Sequence, residues 1–190
     1  MKVKHITLGS TLLAIGILLP FLTINQPQLG QVFLLMHIPA LLAGFLLGGK
    51  WGGLVGFLMP LLRSVLVGMP PLYPTALIMS FELMTYAFVA GIVSSKLTYK
   101  SFHVILSLVL AMIAGRLVWG VMSVIFLSLE NLPFTFEIFI AGAFITALPG
   151  IGIQLIFIPL LIHFMNRAKL IHTKWKTSSL LSNGNIYLMN

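Results

Sequence analysis

Arg63, Glu82 and Arg116 are the residues with chemistry to offer, because each lies inside an apolar stretch of a chain in which 7% of residues are charged. A charge at the centre of a membrane helix costs about 2.5 to 3.5 kcal/mol even on a lenient insertion scale, so each needs a partner, water or a polar ligand. Two guanidinium groups and one carboxylate leave one positive charge in surplus. A solute with one carboxylate neutralises it, and arginine's planar fork suits bidentate carboxylate recognition. The competing arrangement is an Arg63–Glu82 pair that only staples two helices and leaves Arg116 to bond backbone carbonyls or reach a headgroup.

Further polar and aromatic residues can furnish the same pocket. Tyr86 follows Glu82 by one helical turn, and Trp119 follows Arg116 by three residues on the same face. Tyr73 and Asn131 fall in loops on the side toward which Arg63 and Glu82 lie, and His37 is near the matching end of its own segment. Tyrosine and tryptophan also form interfacial belts in any membrane protein, and a lone histidine is commonly a packing residue, so each has a structural reading beside the binding one.

The elements that must position these side chains are membrane helices. Apolar runs at 5–23, 33–48, 51–68, 75–96, 101–128 and 137–165 are separated by polar, Pro-rich or Gly-rich breaks in a chain with 59% hydrophobic residues and a mean hydropathy of +1.09. The expected architecture is therefore all-α, an integral membrane bundle of six transmembrane helices forming a single domain over 1–166. The second and third runs are short for a bilayer about 30 Å thick.

Charge placement orients the bundle. Lys2, Lys4, Lys50, Lys96, Lys100, Arg167, Lys169, Lys174 and Lys176 all fall on one face of the six-crossing topology, whereas the breaks around 24–32, 69–74 and 129–136 hold no lysine or arginine. The positive-inside rule then makes both termini cytoplasmic. Residues 167–190 read as a polar, basic cytoplasmic tail lying against anionic lipid or unstructured. The first run resembles a secretory signal in its basic flank, but Leu22, Thr23, Ile24 and Asn25 offer no small-residue cleavage site, so a retained helix is expected.

Composition excludes several functions. The net charge of +8 sits in the short segments between and after apolar runs, so it serves topology and calls for no nucleic-acid partner. The absence of cysteine removes disulfides, thiolate metal sites and cysteine nucleophiles. With Glu82, Glu130 and Glu137 the only acids, a Mg²⁺ cluster or an ATPase site within the chain is not expected, nor any cofactor or metal. An intramembrane enzyme finds no HExxH signature, no paired glutamates and no serine elbow. A stand-alone secondary transporter or channel usually shows internal repeats, and residues 1–97 and 98–190 share none.

Glycine and proline shape the helices. Gly44, Gly48, Gly49, Gly52, Gly53 and Gly56 form small-residue ladders across the break between the second and third runs, expected to make a tight hairpin that packs closely on its neighbours. Pro60 lies three residues before Arg63, and Pro149 and Pro159 flank Gln154; each is expected to bend its helix. The stretch Gly68-Met69-Pro70-Pro71-Leu72-Tyr73-Pro74 reads as a stiff outer loop able to cover a pocket. In the first run Ser10 and Ala14 make a small-xxx-small pair, a face fit for another membrane protein or for internal packing.

Six short helices, the stretch MHIPALLAGFLLGGKWGGLVGFLMPLLRSVLVGMPPLYPTA at 36–76 and SFELMTYAFVAG at 80–91 resemble the substrate-binding S components of energy-coupling factor (ECF) vitamin transporters, most of all the pantothenate-type branch. The resemblance implies a multi-pass subunit of the cell membrane without ATPase activity of its own. It would bind a small-molecule vitamin from outside, then associate with a transmembrane coupling protein (T component) and, through it, two ATPase subunits. In that family an Ala-xxx-Ala pattern on the first helix meets the coupling protein; the matching positions here are Ser10 and Ala14, a partial departure. Pantothenate, with one carboxylate plus hydroxyl and amide groups, fits the charge count. Folate has two carboxylates and riboflavin none, while pyridoxine or hydroxymethylpyrimidine fits only if the three charges satisfy one another.

Overall fold

The computed structural model describes residues 3–23, 32–97 and 101–167; the tail 168–190, with Trp175, Lys174 and Lys176, lies outside the described residues. Helix α1 spans Val3–Leu18 and continues as a 3-10 turn, Leu19–Thr23. Helix α2 is His37–Leu47 and α3 is Gly49–Val67. A kinked turn at Leu72–Ala76, extended at Tyr73, leads into α4, Leu77–Lys96, and α5 is Ser101–Leu129. A short α6, Phe136–Ile140, passes through a π-helical turn, Ala141–Ile145, into α7, Leu148–Arg167. No strand occurs among the described residues, and the all-α membrane bundle expected from hydropathy is what the chain forms.

Five helical stretches are long and apolar enough to cross a membrane: His5–Thr23, Gly49–Val67, Leu72–Lys96, Phe102–Leu129 and Phe136–Arg167. The second segment departs from expectation. Helix α2 has 11 residues, about 16 Å at 1.5 Å per residue, roughly half the hydrocarbon thickness. All of its residues but Leu46 are buried. A helix apolar on every side is at home inside protein, and α2 packs against α1, α3, α4 and α7.

Glycine allows that crowding. The turn between α2 and α3 passes through Gly48 at φ +80°, a backbone conformation that costs glycine little. A Cβ on Gly44 would run into the carbonyl of Ala87, and one on Gly56 would come within 2.5 Å of the Leu83 carbonyl oxygen. A Cβ on Gly91 would collide with the backbone of Gly49. Helices α2, α3 and α4 thus approach at backbone distance, as the glycine ladder in the sequence requires. On α1, Gly9 and Gly16 are buried toward Val55 and Met59, while Ser10 and Ala14 are exposed on the opposite side.

The sixth run is not one continuous helix. It breaks across Ala141–Ala147, upstream of the prolines expected to bend it. Pro149 is instead the second residue of α7, where its missing N–H costs no hydrogen bond. Pro60 and Pro159 do lie inside helices. Helix α7 rests lightly on α5 and α2, in contrast to the broad packing of α3, α4 and α5.

Candidate functional site

The N-terminus of α2, the C-terminal third of α3 and the facing sides of α4 and α5 converge on one cavity of about 530 Å³, within the range typical of small-molecule sites. His37, Arg63, Glu82, Arg116 and Trp119 line it together. The end of α1 contributes Pro20 and Thr23, and the loop between α3 and α4 contributes Met69, Pro70 and Pro71. That loop does border the pocket. It leaves α3 through Gly68, a left-handed cap at φ +77° whose N–H donates to Ser64 O.

At the centre of the charge arrangement is Glu82, 2% exposed. Arg116 Nη1 donates to Glu82 Oε1 at 2.9 Å. His37 Nε2 stands 3.4 Å from the same oxygen without the alignment of a hydrogen bond. Beneath them the fully buried Tyr86 meets the His37 ring edge to face, with centroids 5.2 Å apart, and its hydroxyl interacts with the carboxylate. Gly115 leaves room for the Tyr86 ring, since a Cβ there would lie 2.8 Å from Cδ2. The Arg63–Glu82 staple is therefore not the pairing adopted.

Arg63 is left as the surplus cation. It has no ion-pair partner among the described residues, and its guanidinium lies 5.9 Å from the Phe21 ring centroid, a cation–π contact. Other polar atoms are also unpaired: Arg63 Nε, Arg116 Nε and Nη2, and both nitrogens of His37 are buried with no hydrogen-bond partner. Buried polar atoms are ordinarily paired. A set of unfilled donors around a cavity with one uncompensated positive charge can take up an anion rich in acceptors.

Two of the residues singled out in the sequence are elsewhere. Tyr73 is exposed; its hydroxyl donates to Phe126 O at 3.2 Å and its ring packs on Phe126. Asn131 occupies an exposed turn after α5 with φ +56°, a conformation asparagine tolerates. Both lie in connections between helices, but neither lines the cavity. Tyr86 supports the site from below without lining it.

The sequence reading missed several wall residues. Met79 lies one turn before Glu82 on the same face of α4, so helical spacing was a usable signal. Leu34, Leu35 and Met36 form the turn into α2, with Leu34 at φ +51° and its carbonyl accepting from His37 N at 2.9 Å and from the buried Gln154 at 3.5 Å. Gly142 and Thr146 come from the break between α6 and α7, which no sequence pattern announced. Among the described residues no cluster of histidine and acidic side chains is able to hold a metal ion.

The family model for the substrate-specific component of ECF transporters matches residues 4–162, most of the chain and all of the elements that build the cavity. No curated protein and no solved structure matches it at a significant level. A multi-pass helical bundle with a ligand-sized, donor-rich cavity is what such a component needs in order to hold its solute, and the chain belongs to the ECF transporter substrate-specific component family.

Proposed function

We propose that this subunit captures a small vitamin bearing one carboxylate, with pantothenate the leading candidate, from outside the cell membrane. The observation that carries this reading is the uncompensated Arg63 in the cavity wall. Glu82 already has Arg116, so the net charge offered to a ligand is one positive, and the free donors of Arg63, Arg116 and His37 suit a carboxylate and an amide carbonyl. Folate brings a second carboxylate for which no further cation lines the cavity, and riboflavin leaves Arg63 unanswered.

On this reading the positive-inside distribution keeps both termini cytoplasmic and opens the cavity outward. Ser10 and Ala14 on the exposed side of α1 receive the transmembrane coupling protein, and two ATPase subunits supply the energy. Tyr73 and Asn131 act from the outer loops only if these fold inward over the bound vitamin. The test is mass spectrometry of the small molecule that copurifies with the protein, followed by calorimetry with the same compound. Pantothenate is the expected hit, whereas riboflavin or a neutral pyrimidine would overturn the charge argument.

A further inference from the structure

Beyond Trp119 lies a second cavity of about 450 Å³. It shares Thr75, Met79, Trp119 and Gly142 with the first, so these four residues, the indole among them, form a wall common to both chambers. The chemistry changes across that partition. Ile78, Leu127, Phe134 and Ile138 supply hydrocarbon to the second chamber, and no charged side chain lines it.

Its polar side chains beyond the shared wall reduce to Ser123. This residue is 1% exposed, faces the chamber and makes no hydrogen bond among the described residues. The buried serines Ser80, Ser94 and Ser107 behave differently, each donating to a carbonyl three or four residues earlier at 2.7, 3.3 and 2.8 Å. A buried hydroxyl without a partner is uncommon in a finished site and is accounted for when a ligand supplies the partner.

The indole in that wall is held by two aromatic neighbours and a glycine. Phe139 stacks beside the Trp119 ring with planes 25° apart, and Phe134 meets it edge to face. On the remaining side the indole fits against Gly142, where a Cβ would lie 2.9 Å from Cη2. A side chain at 142 therefore displaces the indole.

The geometry points to a bipartite binding site, resting on the carboxylate reading above. The acid end of the substrate sits at Arg63, and an apolar head carrying a hydroxyl passes Trp119 into the second chamber, where Ser123 bonds that hydroxyl. Ser123, Gly142 and Trp119 then determine specificity for the head, while Arg63 recognises the acid. The substrate class follows: a carboxylate at one end, a hydroxyl-bearing hydrocarbon at the other, and a linker that spans the indole.

Two probes separate the ends. Pantothenate carries both, and N-acetyl-β-alanine keeps the acid and amide but lacks the branched, hydroxylated head. Affinities are measured by calorimetry and by displacement on the full-length protein in detergent. Ser123→Ala is expected to weaken pantothenate about fivefold or more and to leave N-acetyl-β-alanine unchanged, and, removing one oxygen, it keeps the ligand-free melting temperature of the parent; Gly142→Ala, on the wall common to both chambers, is expected to weaken pantothenate more than N-acetyl-β-alanine. Equal weakening of both probes overturns the proposal, as does unchanged pantothenate affinity in both variants, the result expected if a lipid chain fills the chamber. In either case an Arg63→Ala variant that still loses both probes leaves the carboxylate reading standing. Wild-type protein that binds neither acid overturns both.

Discussion

Arg116 Nη1 bonds Glu82 Oε1 at 2.9 Å, joining α5 to α4 in a site where the two residues are 5% and 2% exposed. The pair neutralises itself, which leaves Arg63, on the third wall of the same cavity, as the uncompensated cation.

Arg63→Ala should therefore weaken recognition of a monocarboxylate with little effect on folding, because Arg63 has no ion pair to lose. A hydrogen bond to a charged group contributes about 1.5 to 3 kcal/mol, so calorimetry should show pantothenate binding weakened by roughly 10- to 100-fold. Arg63→Lys should recover part of it, since the point charge remains without the fork.

Arg116→Ala should act on stability first. It strands the Glu82 carboxylate beside His37 and Tyr86, and breaking a buried pair from one side costs about 3 to 5 kcal/mol. The double variant Glu82→Gln/Arg116→Met should melt higher than Arg116→Ala alone, measured by thermal unfolding in detergent. A lower melting point for the double variant would contradict the pairing.

Gly91→Ala should lower the melting temperature, because its Cβ meets the backbone of Gly49, which cannot yield as a side chain can. Overpacking of this kind costs about 1 to 3 kcal/mol. Gly152→Ala, with nothing within 4 Å of the added atom, should be neutral or slightly stabilising.

Ser10→Leu and Ala14→Leu place bulk on the exposed side of α1. Vitamin binding to the isolated subunit should persist, whereas pull-down of the coupling protein and uptake by the assembled transporter should be lost. Robust uptake by the subunit expressed without the coupling and ATPase proteins would instead identify a stand-alone carrier.

Hydropathy, charge and glycine spacing were legible in the chain because each acts locally. An apolar run, a lysine at its end and a glycine every fourth residue carry their meaning wherever the neighbours lie, and from them came the all-α bundle, its segments and the close hairpin of α2 and α3. Burial of charge was legible in the same way: Arg63, Glu82 and Arg116 stood out by their cost in an apolar setting, and His37 and Trp119 by their placement near them. All five line one cavity.

The pairing within that cavity was not legible, because it depends on how each helix is rotated and how closely it approaches. The sequence left an Arg63–Glu82 pair open, yet the backbone contacts of α2, α3 and α4 at Gly44, Gly56 and Gly91 accompany an arrangement in which Glu82 faces α5 and Arg116. The break of the sixth run at Ala141–Ala147, which brings Gly142 against Trp119, likewise has no local signature. The sequence by itself determined a membrane bundle with costly charges that demand partners; tertiary packing alone decided which charges answer each other and which one remains for a ligand, since Coulomb attraction and hydrogen bonding act over a few ångströms that no linear spacing can specify.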